Sequence, residues 1–145
     1  WHIPDPKNHL PVTIPMSAPL RAMLETRPRT KGNPHVFPCR VKAGNGFVDN
    51  ARHTLNSVSD VAEMHLSAHD LRRTFIAIGI KNNIEMWKLK LLTNHVIQDD
   101  VTITNYTETS DLRYLSGEAE AIAAWIVNQG VIAAADNVVQ LRGAA

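Results

Sequence analysis

Two imidazoles, a guanidinium and a phenol follow one another through the middle of the chain: His69-Asp70-Leu71-Arg72-Arg73-Thr74-Phe75, then Asn94-His95, then Tyr106. Residues of these types can grip a phosphate and attack it. A phenol has a pKa of about 10, so ionising it near neutrality costs about 4 kcal/mol unless a base or a positive field assists. Arg72 can supply that field. Its planar fork can hold two non-bridging oxygens and stabilise charge building on phosphorus, which lysine does less well geometrically. His95 can donate a further hydrogen bond to the same phosphate, and His69 can help move the phenolic proton.

These groups need elements to position them. Leu71, Phe75 and Ile78 recur at i, i+4 and i+7, which predicts a helix from about His69 or Asp70 with that stripe facing the core. His69, Arg72 and Ile76 share the adjoining side, so imidazole and guanidinium project together. Arg73 lies about 100° round the helix from Arg72, which suits it to a carboxylate or to backbone phosphate. A second amphipathic helix is expected over residues 84–92, stopping near Thr93-Asn94, and a short one over 100–106 that leaves Tyr106 on or just after a helical turn. The segment from Ser116 to Gln129, with Ile122, Trp125 and Ile126 at i, i+3 and i+4, is the clearest amphipathic helix. Beyond Gly130 the tail is apolar, then ragged.

Upstream, extended runs at 1–3 and 12–14 flank Pro4-Asp5-Pro6-Lys7-Asn8, whose residues favour turns, so a hairpin with Lys7 exposed near its tip is expected. Ser17 can cap a helix to about Thr26, with Leu20, Met23 and Leu24 as its stripe and Pro28 as its stop. Residues 27–34 read as a basic loop, Val36-Phe37-Pro38 as a brief buried segment, and 42–47, with Gly44 and Gly46, as a loop before a helix from about Asp49 to Ser59. The expected fold class is α+β, mainly α: one domain with a small β-hairpin or three-stranded sheet at the edge of a helical core.

Bulk properties narrow the function classes. A chain of 145 residues, 44% hydrophobic, can build one ordinary globular core. The single cysteine, Cys39, excludes an internal disulfide and cannot alone build a structural zinc site, which fits a reducing cytoplasm. No apolar run reaches 18 residues and the first residues lack signal-peptide character, so no membrane partner is expected. His65 and His69 are spaced i, i+4, but Leu66 stands where a metalloprotease motif needs glutamate, and no metal is expected. Net charge is only +1, yet it is unevenly spread. Residues 21–53 carry seven Lys/Arg against two acids, whereas from residue 98 onward seven acids face two arginines. That polarity suits a basic face for nucleic acid, with Arg40, Lys42 and Arg73 as candidate phosphate contacts, beside an acidic face turned elsewhere.

At His69-Asp70-Leu71-Arg72-Arg73-Thr74-Phe75 the sequence resembles the tyrosine recombinases of the phage-integrase type, whose second motif is His-x-x-Arg opening a helix. That family next carries a His or Trp closing a Leu-Leu-x-His-like stretch, matched by Leu92-Thr93-Asn94-His95 with threonine in the second place. Its nucleophilic tyrosine is matched by Tyr106, and its hairpin lysine, eight residues ahead of a proline, by Lys7 relative to Pro15. The resemblance covers roughly residues 1–129 and implies the catalytic portion of a recombinase. In that portion Lys7 protonates the departing 5′ oxygen while a 3′-phosphotyrosine ester conserves the bond energy, so that no metal or nucleotide cofactor is needed. The family's first catalytic arginine precedes the hairpin and has no counterpart here, nor do its N-terminal DNA-binding domains. Residues 1–145 therefore read as a partial catalytic domain, inactive by itself. The resemblance further implies double-stranded attachment-site DNA as partner, a homo-oligomer on DNA (a tetramer for the parent protein), phage or prophage integration and excision, and a nucleoid-associated place in a bacterial cytoplasm. A non-catalytic DNA-binding or assembly module is the alternative from another class. Tyr114 is the alternative nucleophile, but its acidic and apolar surroundings favour packing.

Overall fold

The computed structural model describes residues 1–39, 46–48, 50–95 and 107–136. Turn chemistry shapes its start. Strand β1 (His2–Ile3) pairs antiparallel with β2 (Val12–Thr13), His2 opposite Thr13 and Ile3 opposite Val12. In the connection His9 adopts φ 56°, its N–H donates to the Pro6 carbonyl at 2.8 Å, and its ring meets the Asp5 carboxylate at 2.7 Å. Lys7 is exposed there, as its turn position predicts. A later segment touches β2 through one parallel bridge, Thr13 to Asp111, with Thr13 N–H donating to Ser110 and Leu112 N–H to Thr13. The sheet is thus two-stranded with a one-bridge extension, and the mainly helical α+β class holds.

Helix α1 (Ala18–Glu25) follows Ser17, whose side chain makes no cap bond. The free N–H of Ala18 instead donates to the Glu120 carboxylate at 2.6 Å, which clips the helix start to a residue far along the chain. Helix α2 (Arg52–Ala62) sits three residues later than expected, because the Asn50 side chain accepts from Arg52 N–H at 2.8 Å and opens it. It ends at Glu63, held at φ 51°. Helices α3 (Ala68–Lys81) and α4 (Met86–Leu92) follow, then a short 3-10 turn (Arg113–Leu115) and helix α5 (Ser116–Asp136). Helix α5 runs through Gly130 rather than stopping at Gln129: space around that glycine is open, and the following Ala133-Ala134-Ala135 are strong helix formers.

Helix α4 is the wedge of the molecule. Its Leu91 joins Val12, Leu112 and Leu115 in one apolar cluster, against which Ile3, Ile14, Trp87 and Leu92 pack. Its Leu89, with no exposed surface, joins Ile78 and Ile122 in another, backed by Phe75, Ile76, Ile84 and Trp125. Lys88 ties the same helix outward, its ammonium 2.6 Å from Glu85 and 2.8 Å from Glu118 of α5. Those two carboxylates hold the lysine well above its ordinary range.

Three burial expectations are corrected. Leu71, expected in the core, is 53% exposed, because α3 packs into the apolar cluster through its C-terminal half (Phe75, Ile76, Ile78). Ile76, expected beside the imidazole and guanidinium, turns into the second cluster for the same reason. Phe37, expected to be buried, is exposed, with the Arg27 guanidinium stacked 4.4 Å from its ring centroid. The short helix expected over 100–106 lies outside the described residues.

Candidate functional site

A capping box starts the helix that bears the His-x-x-Arg pair. Ser67 Oγ accepts from Asp70 N–H at 3.3 Å, while the Asp70 carboxylate accepts from Ser67 N–H at 3.0 Å and from its hydroxyl at 2.5 Å. The Ser67 hydroxyl and then its N–H hold the Asp70 carboxyl below the usual carboxylate range. Asp70 is therefore committed to the cap rather than to chemistry. Arg73 turns back toward it, 3.9 Å away, as its helical phase predicts. His69 and Arg72 stay exposed on the other side.

The end of α4 delivers the third group. Thr93 caps the helix, Asn94 takes the left-handed conformation at φ 50°, and two hydrogen bonds close the turn: Asn94 N–H to Leu91 at 2.8 Å and His95 N–H to Lys90 at 2.9 Å. This is a Schellman arrangement, and asparagine tolerates its left-handed position better than most residues. It leaves the His95 ring against the Thr93 hydroxyl, 2.7 Å from Nδ1. Burial first, then the charges of Arg72, Lys90 and His69, keep the His95 imidazole below its ordinary pKa, so these four side chains share one electrostatic neighbourhood. The hairpin is fastened to the same corner, since Asn8 Nδ2 donates to Asn94 Oδ1 at 3.3 Å across 86 residues of sequence. Lys7 is thus carried on a turn whose next residue is bonded to the neighbour of His95.

His69 and Arg72 lie near enough for their charges to act on His95, and the Lys7 turn is fastened to Asn94, the neighbour of His95. Arg73 stands with Asp70 at the edge. Tyr106, Arg40 and Lys42 lie outside the described residues. Tyr114 is otherwise engaged: its hydroxyl donates to the Glu108 carbonyl at 3.0 Å, and burial, with Glu108 and Glu118 nearby, pushes its phenol up. A raised phenol makes a poorer nucleophile at neutral pH. Sequence reasoning passed over Lys90, Thr93 and the Asn8–Asn94 clasp; the sole signal for them is the helix stop immediately ahead of His95. Among the described residues no three His, Cys, Asp or Glu are grouped to hold a metal ion, and no helix is long and apolar enough to cross a membrane. No family model, curated protein or solved structure matches the chain.

Proposed function

We propose that the chain is the catalytic portion of a tyrosine-type DNA recombinase that cuts and rejoins DNA through Tyr106. The observation that carries this reading is the convergence of His69 and Arg72, from the start of α3, with His95, from the end of α4, beside the hairpin that bears Lys7. A cluster of exposed cations and imidazoles, with Arg72, Lys90 and His69 as the charges acting on His95 among the described residues, favours an anionic ligand, and a phosphodiester fits it. In the reaction the Tyr106 oxygen bonds to phosphorus, the O5′ bond breaks, and the leaving oxygen takes a proton from Lys7. Arg72 and His95 hold the non-bridging oxygens, and His69 receives the phenolic proton. Reversal by a new 5′ hydroxyl reseals the strand without cofactor or metal. Arg73, Arg40 and Lys42 serve as contacts to backbone phosphate flanking the reacting one.

The reading includes assembly on DNA. A groove of about 480 Å³ between α1, α3 and α5 is lined by apolar side chains including Leu20, Met23, Phe75, Ile122 and Val127, and the exposed Val131 and Ile132 continue along α5. A second copy of the protein is the occupant this proposal gives it, consistent with a homo-oligomer that becomes a tetramer on a full site.

The test is adduct formation. The full-length protein, incubated with a nicked duplex carrying its attachment site, should give a covalent protein–DNA species that persists in Tyr114→Phe and vanishes in Tyr106→Phe. An adduct retained in Tyr106→Phe would show that the phenol has been misassigned. Duplex binding without any adduct in the wild-type protein would favour the non-catalytic DNA-binding module instead.

A further inference from the structure

We infer that Thr93 is a positioning residue that fixes which nitrogen of His95 meets a bound phosphate, so that the group is gripped there only with uptake of a proton. The inference rests on the proposed phosphate site and gives its His95 a definite protonation chemistry.

The hydrogen count decides the tautomer. The buried Thr93 hydroxyl lies 2.7 Å from the Leu89 carbonyl, 3.2 Å from the Lys90 carbonyl and 2.7 Å from His95 Nδ1. It has one hydrogen, and carbonyl oxygens only accept. Both Leu89 and Nδ1 are 2.7 Å away, but only the ring nitrogen can donate, so both contacts are hydrogen bonds only if the hydroxyl gives its hydrogen to Leu89 and turns a lone pair to Nδ1. His95 Nδ1 must then be the donor. In a neutral imidazole a proton on Nδ1 leaves Nε2 bare, and a bare nitrogen cannot donate to a phosphate oxygen.

Nε2 therefore serves two states. Neutral His95 presents a lone pair and can accept a proton; protonated His95 presents a donor to a phosphate oxygen. Among the described residues the charged groups acting on the ring are Arg72 and His69 from α3 and Lys90 from α4, while the hairpin fastened to Asn94 carries Lys7. Arg72, Lys90 and His69 each disfavour a further positive charge in the free chain. A bound phosphodiester monoanion reverses that field, so binding and protonation of Nε2 are linked.

The experiment is long-range proton–nitrogen NMR of the imidazole rings in the 145-residue chain at pH about 7.5, with dimethyl phosphate as the probe because it stays a monoanion across the working range. His95 should carry its proton on Nδ1 in the wild type and in Thr93→Ser, and should lose that preference in Thr93→Val. Added dimethyl phosphate should raise the His95 midpoint, and its affinity should fall by up to about tenfold per pH unit between the free and bound midpoints. A wild-type His95 protonated on Nε2 overturns the assignment, as does a tautomer indifferent to Thr93→Val. A His95 midpoint unmoved by saturating dimethyl phosphate overturns the proton uptake. None of these readouts needs strand cleavage, so a protein that keeps the Nδ1 tautomer yet never forms an adduct upholds the positioning role while sinking the recombinase reading.

Discussion

Replacing Gly79 with alanine tests whether the spacing between α3 and α4 creates the site. A Cβ at that position would run into Leu89 Cδ2, with Cδ1 at 2.9 Å and Cγ at 3.2 Å, and Leu89 is fully buried with little room to withdraw. Alanine in a helix interior gains about 1 kcal/mol over glycine from propensity alone. Overpacking a filled core costs about 1–3 kcal/mol, and a clash with three atoms of one immobile side chain belongs at the upper end. The net expectation is a loss of about 2 kcal/mol, which for a chain of this size lowers the melting temperature by roughly 4–8 °C, at about 2–4 °C per kcal/mol. Thermal denaturation followed by circular dichroism reads it. The double variant Gly79→Ala/Leu89→Ala should lose less than the sum of the single losses, because the new methyl occupies part of the space that Leu89 vacates. Since α4 ends three residues before His95, the same shift should also weaken the influence of Arg72 on the His95 titration. A Gly79→Ala protein as stable as the wild type would refute the close approach and the packing account built on it.

Two further predictions probe the ends of the site helices. Ser67→Ala removes the hydroxyl half of the capping box while leaving the bond from its backbone N–H to Asp70, so it should cost about 1 kcal/mol in denaturant unfolding, with Thr restoring most of it; an unchanged midpoint would mean that the hydroxyl cap contributes nothing. His95 is held below its ordinary value of 6.5, first by burial and then by Arg72, Lys90 and His69, so the unfolded chain binds the proton more readily. Stability from this residue is complete above about pH 6.5 and is lost as pH falls toward the folded value. His95→Gln should flatten the stability–pH curve in that window, and a slope identical to wild type would deny the imidazole its lowered titration.

Local chemistry was enough to read several parts from the chain alone. The His69/Arg72 pair shares a helix face because three residues make nearly one turn, and Lys7 stands exposed because Pro4-Asp5-Pro6-Lys7-Asn8 can scarcely do other than turn. The stop of α4 at Thr93-Asn94 was legible for a similar reason, since asparagine accommodates the left-handed step that ends a helix. Tertiary structure decided the rest. Which half of α3 would be covered depended on where α4 and α5 cross it, and that crossing drew Ile76 inward and left Leu71 in water. The approach of His95 to Arg72 and the clasp between Asn8 and Asn94 join groups by packing rather than by period. Periodicity specifies a face but not its neighbour, because the neighbour is chosen by apolar surfaces distant in sequence burying one another around Leu89 and Leu91.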